Sequence, residues 1–588
     1  MRKQLLGLCA ATLTLAAAAQ NSGIEFQWGK LIDGTTTAGD QSTDVCLDAV
    51  GNVYWLGTFG TVTGQQDITF GGDFLFTGAP YEGTSNNPNY TLIKTDADGN
   101  RLWVAYSSMG DFENNAGGCA ATSDGGVVTV SKFRHTDNMT DRNVVLVSAD
   151  GQETEIDWTI EGSTRIYRMM VNKLSADGNF EWTRTVEFST EPGPNASGNY
   201  TALWSNCFNV GGCAVDDNDN IYIALNYRNP MTVAKADGTT VTFTPRNNTA
   251  WTGDSQNTVG DFMILSLDKD GYYRAARYLD GTAEAAYCQS LEWYDGKLYA
   301  YGYIKGDGTE LKAGDFTLAP SAMNSPVVMC TDADLHVEWA KCFPCEEVVA
   351  GKSGLQNVGI TLCNNTLWLA GMYNQKITDP DNAENFVAAT QGTLREGFII
   401  KLNAANGEWL AARNSRDDDW NNPSAAAKTG LTGYFKVLQN SDHPEKVFVF
   451  GYVMNAAVGV FLREYDAETL VANLEDGQNN IVTGGGAPSC QVIAYDNRKG
   501  CAYITARGNK AFTCGDYTTD APAGWGILAA KFQLPESMIT TSSEAISVEA
   551  AATDAPVEYY NLQGVRVANP SNGLYIRRQG SSVSKVIL

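Results

Sequence analysis

Four tryptophans, Trp158, Trp204, Trp251 and Trp420, fall in long polar stretches of this chain, and the last closes an Asp417-Asp418-Asp419-Trp420 run. Indole rings free of a core suit stacking on sugar faces or capping a hydrophobic partner. Carboxylates beside such a ring add acceptors for sugar hydroxyls or a metal ion. The plainer alternative is that each ring anchors its own loop and the acidic run is solvated. Both readings stay open. Other chemistry is scarce: histidine occurs only at His135, His336 and His443, at unrelated positions, which weakens imidazole-based nucleophiles or metal sites. The chain has no nucleophile elbow, phosphate loop or zinc-helix motif. Paired carboxylates for glycoside hydrolysis need no proximity in sequence. A carbohydrate-active enzyme is therefore the alternative to a binding protein, but no catalytic pair stands out among 67 acidic residues.

Two further patterns read as structural. Asp-x-Asp-Gly turns resemble calcium loops, with Asp216-Asp-Asn-Asp-Asn220 the nearest case, but none continues to the glutamate an EF-hand needs. Asp, Asn and Gly satisfy hairpin turns without metal, so no cofactor is expected, calcium being the one exception to test. Cys342-Phe-Pro-Cys345 has CxxC spacing but lacks the context of a zinc or redox site; a local disulfide is its main alternative. Cys46, Cys119, Cys213, Cys288 and Cys490 recur at similar places and read as small buried residues.

The elements that would hold these residues repeat. Leu92-Ile-Lys-Thr-Asp-Ala-Asp-Gly-Asn-Arg-Leu-Trp103 and Val171-Asn-Lys-Leu-Ser-Ala-Asp-Gly-Asn-Phe-Glu-Trp182 share Lys, Asp-Gly and Trp at one spacing. Such self-similarity marks a supersecondary unit that buries its core against its neighbours. Hairpins are expected at 46–59, 119–133, 213–227, 288–304, 358–373, 434–453 and 490–507. Each is followed by a second strand pair, at 91–107, 170–188, 262–279, 327–343, 398–414, 460–474 and 526–534. The last set lacks a Trp strand, and residues 24–34, with Trp28, supply one. The fold class expected is all-β: a seven-bladed β-propeller over 24–534, closed by the N-terminal strand. Trp28, Trp103, Trp182, Trp339 and Trp409 then wedge between blades, while Trp55 and Trp368 are core.

The pattern resembles the secreted bacterial β-propeller repeats of the SBBP type, related to PQQ-like propellers. Ile68-Thr-Phe-Gly-Gly72 and Leu311-Lys-Ala-Gly-Asp-Phe-Thr-Leu318 carry the same likeness. It implies architecture and leaves activity open. After a Ser/Thr/Ala/Glu-rich linker at 535–556, residues 557–588 are similar to the type IX secretion C-terminal sorting domain. The matching positions are Tyr560, Leu562, Gly564, Gly573, Tyr575 and Lys585, although Leu588 ends the chain where a basic residue is common. The resemblance implies a small β-sandwich, contact with secretion machinery, and export across an outer membrane.

Residues 1–19 read as a signal peptide: Met1-Arg-Lys, an apolar run, then Ala17 and Ala19 at a cleavage site. No later apolar run is long enough for a membrane helix. A net charge of −26 disfavours nucleic acid, whose phosphates call for Lys and Arg. The reading is a secreted or cell-surface protein. Antiparallel alternation puts the long second-to-third and fourth-to-first connections on one face, so a glycan or surface-protein partner is expected there.

Overall fold

Runs such as Val53–Phe59 (VYWLGTF) and Ile221–Tyr227 (IYIALNY) are buried at every residue. A strand covered on both faces loses the apolar–polar alternation of a surface strand, so these segments are interior to packed sheets. The computed structural model describes residues 23–34, 40–59, 66–78, 89–109, 111–135, 144–156, 166–188, 208–245, 260–281, 283, 285–306, 309–348, 354–389, 395–415, 431–454, 459–473, 480–486, 489–540, 557–561, 566–567, 570, 574–579 and 582–587.

In the first of two compact units, through Ile539, the strands form seven antiparallel sheets with a four-stranded core, each in simple first-to-fourth order. Sheet 1 holds Gln41–Leu47, Val53–Phe59, Asn89–Thr95 and Arg101–Met109. Sheet 2 is Asp111–Ala121, Val127–His135, Ile166–Leu174 and Phe180–Phe188. Next, sheet 3 is Phe208–Val215, Ile221–Tyr227, Asp261–Leu267 and Tyr273–Tyr278, and sheet 4 is Ala285–Tyr294, Lys297–Lys305, Asn324–Thr331 and Val337–Cys342. Sheet 5 comprises Leu355–Cys363, Thr366–Tyr373, Glu396–Asn403 and Trp409–Asn414; sheet 6 comprises Leu431–Asn440, His443–Met454, Gly459–Asp466 and Asn480–Gly484. Sheet 7 takes Ser489–Asp496, Cys501–Gly508 and Gly526–Gln533 from the far end of the unit, and its fourth strand is Glu25–Asp33. That strand runs antiparallel to Gly526–Gln533, with Glu25 opposite Gln533 and Ile32 opposite Ile527.

The first strands neighbour one another in cyclic order, sheet 1 to sheet 7 and back to sheet 1. Apolar clusters lie between each consecutive pair of sheets. One unites Ile32, Tyr503 and Ile527 of sheet 7 with Val45, Val53 and Trp55 of sheet 1. Sheets packed face to face in rotation are the arrangement of a β-propeller.

Four connections between second and third strands carry a feature the repeat alone did not reveal. Each folds a hairpin onto the fourth strand of the preceding sheet. Gln66–Phe70 and Asp73–Gly78 extend sheet 7, Val144–Val147 and Glu153–Ile156 extend sheet 1, Met231–Ala234 and Thr240–Phe243 extend sheet 2, and Phe512–Cys514 and Tyr517–Thr518 extend sheet 6. A hairpin laid there covers an outer edge that otherwise presents unpaired backbone groups. Parts of the long connections are therefore sheet.

The second unit, Thr540–Leu588, has one four-stranded antiparallel sheet ordered Arg566–Val567, Val557–Tyr560, Leu574–Gln579, Ser582–Ile587. Among the described residues it is a single sheet where a sandwich was expected: four short strands supply one layer. Chain contact with the first unit continues past Leu534, since Met538 is fully buried against Leu534 and Phe532.

Candidate functional site

The repeat motif has a mechanical meaning. The indole Nε1–H of Trp28 donates to the Ala97 carbonyl (3.2 Å), Trp103 to Ala176 (2.9 Å), Trp182 to Lys269 (3.2 Å) and Trp339 to Ala404 (3.0 Å). Each carbonyl lies in the turn between third and fourth strands of the next sheet. The turn glycine is shaped to the ring: Gly178 has φ +85°, and a Cβ there would lie 2.6 Å from Trp103. The motif lysine converges on the same spot. Lys94 donates to Ala176 O (3.2 Å), and Lys531 to Ala97 O (3.0 Å). Across the sheet 7–sheet 1 boundary, Trp28 comes from the start of the unit and Lys531 from its end. Sheet 3 lacks the tryptophan; Arg274 instead reaches Ala333 O, and Arg277 reaches Leu335 O at 2.9 Å. Trp55 and Trp368 are buried, and Trp368 Nε1 donates to Gln439 Oε1 (2.8 Å).

Turn carboxylates are spent locally. Asp216 Oδ1 accepts the N–H groups of Asn218 and Asn220, and Oδ2 accepts Asn220 Nδ2 and the Tyr222 hydroxyl, all within 3.0 Å. Its lone pairs serve the hairpin. Asp48, Asp96, Asp268 and Asp332 accept the same pair of backbone N–H groups, two and four residues on. His336 pairs with Asp332 (2.9 Å) and His443 with Glu445 (3.4 Å), both ordinary surface contacts. Cys342 and Cys345 are buried free thiols; burial pushes the Cys342 thiol up to about 12 and that of Cys345 well above its usual value.

The residues singled out for ligand contact, Trp158, Trp204, Trp251, Trp420, Asp417, Asp418 and Asp419, lie outside the described residues. In the chain, Trp158 and Trp251 fall between an added hairpin and the third strand of sheets 2 and 3, and Trp204 and Trp420 follow the fourth strands of sheets 2 and 5. The described strand ends that flank these four segments lie on one edge of the sheets, opposite the short turns. In the second unit, Tyr560 lies opposite Ile576, and Ile576 opposite Lys585, so positions of the C-terminal motif meet across three adjacent strands. Leu562, Gly564 and Gly573 lie outside the described residues.

Sequence reasoning missed a channel of about 410 Å³ lined by first-strand residues from all seven sheets. Every first strand shifts register there: by one residue between Ser42 and Asp44, Val210 and Gly212, Cys288 and Ser290, Gln356 and Gly359, Tyr434 and Lys436, and Cys490 and Ile493, and by a longer excursion between Phe112 and Gly117. A bulge bends a strand and re-aims its side chains. Small residues permit the approach of neighbouring strands: a Cβ on Gly211 would meet Cys288 O at 2.2 Å, and one on Gly359 would meet Phe435 O at 1.7 Å. The channel holds charge. Asp44 accepts the N–H groups of Cys119 and Val45, each at 2.8 Å. Loss of water holds its carboxyl up at about 6, against the lowering effect of these N–H groups and of Lys436. Lys436 lies 3.7 Å from Glu292, whose carboxyl burial also raises and whose Oε1 accepts Leu362 N–H (3.0 Å). A recurring Gly in the first strands, as in Gly117-Gly118 and Gly211-Gly212, is the sequence signal of this crowding.

No known protein family's sequence profile matches the chain, and no curated protein matches it. Among solved structures, the quinohemoprotein alcohol dehydrogenase from Comamonas testosteroni aligns over 90% of this chain and 79% of its own, at 11% identity and a TM-score of 0.33. A europium-containing methanol dehydrogenase aligns over 87% and 93%, at 10% identity and 0.33. A subtype N10 neuraminidase-like protein of A/little yellow-shouldered bat/Guatemala/060/2010 aligns over 73% and 96%, at 9% identity and 0.29. Likeness at this level carries no argument about activity.

Proposed function

We propose that this chain is an exported seven-bladed β-propeller, closed by its N-terminal strand, that binds a glycan or surface protein through the face bearing its long connections. The seven sheets are the blades, and the pairing of Glu25–Asp33 with Gly526–Gln533 supports their closure. The observation that carries the binding face is sidedness. On one edge the turns are short and their aspartates are consumed by their own backbones. The opposite edge receives the segments with Trp158, Trp204, Trp251 and Trp420, the residues free of the blade-docking pattern. Loops held by a rigid frame are where recognition concentrates. Replacing the four tryptophans by alanine should abolish capture of the ligand found by glycan array or surface pull-down. Undiminished capture defeats the assignment, and release of reducing ends from a polysaccharide panel would favour the glycosidase alternative instead.

Delivery is the second part of the proposal. Residues 1–19 direct export, and 557–588 engage the type IX secretion machinery, supported by Tyr560, Tyr575 and Lys585 falling on three adjacent strands of one small sheet. Deleting 557–588 should leave the protein in the periplasm; surface delivery without them rejects this part.

A further inference from the structure

We infer that the channel through the seven first strands is a second binding site, separate from the loop face, for a small organic compound carrying a primary ammonium group. The argument rests on which hydrogen-bonding groups in the channel are already spent. Asp44 uses its carboxylate oxygens on two backbone N–H groups, leaving acceptor capacity on both, since each oxygen has two lone pairs. Among the described residues no side chain donates to it within hydrogen-bond distance. Gln289, which lines the same channel, has its Oε1 buried with no partner. A buried acceptor left unpaired costs free energy that a donor-bearing ligand restores.

The one lysine lining the channel, Lys436, sits beside Glu292 rather than against Asp44. Among the described residues the titratable groups that interact with Asp44 are Cys119 and Cys213 on the next two first strands, and Lys436. Burial drives the Cys119 and Cys213 thiols upward, so they stay protonated and neutral. Counting Glu292, which lies outside the lining but 3.7 Å from Lys436, the three charges in and beside the channel sum to one negative when Asp44 is ionised.

Spare acceptors and a net negative charge select a ligand with several donors and a positive charge. An –NH3+ group has three donors and one charge. A divalent metal fits less well. It needs several oxygen or softer ligands, and among the described residues no three His, Cys, Asp or Glu side chains converge to hold one. A volume of about 410 Å³ accommodates a small organic molecule.

The test uses the mature full chain and ethylammonium chloride or 1,4-diaminobutane as probes, with sodium and calcium chloride as controls. Thermal unfolding near pH 7.5 should shift upward with the amines in a saturable way, and the apparent affinity should fall by about tenfold or more in Asp44→Asn. Gln289→Met, which removes the unpaired oxygen but keeps side-chain length, should weaken binding without lowering the unliganded melting point. Alanine at the four loop tryptophans should leave amine binding unchanged, which separates this site from the loop face. Absence of a saturable amine shift in the folded wild type overturns the inference. So does an equal shift in both channel variants, or saturation by calcium alone.

Discussion

Replacing Trp28 with alanine probes the seam where the start of the first unit meets its end. The ring is half-buried, packs edge-on at 6.1 Å against Trp55 of sheet 1, and donates to Ala97 O at 3.2 Å. An indole in that position shields on the order of 100 Å², about 2.5 kcal/mol at ~25 cal/mol per Å². The hydrogen bond contributes about 1 kcal/mol more, and part of the loss is recovered as the turn around Gly99 relaxes. A cost of about 3 kcal/mol is expected. For a cooperative unit of roughly 500 residues, an unfolding entropy of about 2.1 cal/mol/K per residue turns this into a fall of about 3 °C in Tm. Calorimetry on the mature chain reads it directly. Trp103→Ala, which breaks the same contact with Ala176 inside the chain, should fall by a similar amount. An unchanged Tm for Trp28→Ala beside a normal loss for Trp103→Ala would refute the reasoning, since the seam would then bear no share of the stability.

Other consequences follow from the same contacts. Gly178→Ala places a side chain at φ +85° and 2.6 Å from Trp103, so it should cost at least about 2 kcal/mol in thermal unfolding. A carboxyl held above its unfolded value binds its proton more tightly when folded. Relative to Asp44→Asn, the wild type should therefore gain stability as pH falls from about 6 towards 3.8 and stay level below that. Melting curves across that range check the slope, and a gain in the opposite direction contradicts the placement of Asp44. Cys342 and Cys345 should react with a maleimide only after unfolding, because buried thiols with raised pKa values carry little thiolate; rapid labelling of the native protein overturns their burial.

Much of the frame was legible because each motif residue has a separate task. Trp103 needs a carbonyl and a flat seat, Gly178 provides the seat, and Lys94 reaches the same carbonyl. Constraints of that kind leave a fixed spacing in the sequence. The orphan strand with Trp28 was readable for the same reason. Hairpins such as Val144–Val147 with Glu153–Ile156 were not, since their partner Arg101–Met109 belongs to the preceding sheet and nothing local announces the pairing. The channel was hidden more deeply. Asp44, Gln289 and Lys436 are far apart in sequence, and they line the channel where shifts of register interrupt the alternation from which strand faces are inferred. The loop tryptophans were conspicuous by falling outside the repeat, which marks them as candidates and says nothing of what they touch.

The central claim is that Glu25–Asp33 lies antiparallel beside Gly526–Gln533 and joins the two ends of the first unit. Cysteines at positions 25 and 533, introduced as Glu25→Cys with Gln533→Cys in a Cys501→Ser background because native Cys501 flanks position 533 on its other side, face each other in that register. Mild oxidation of the folded protein should join them, and peptide mass mapping should recover one disulfide linking the two ends of the unit. Failure to form it in folded protein, or a crosslink of either position to a different strand, would contradict the account.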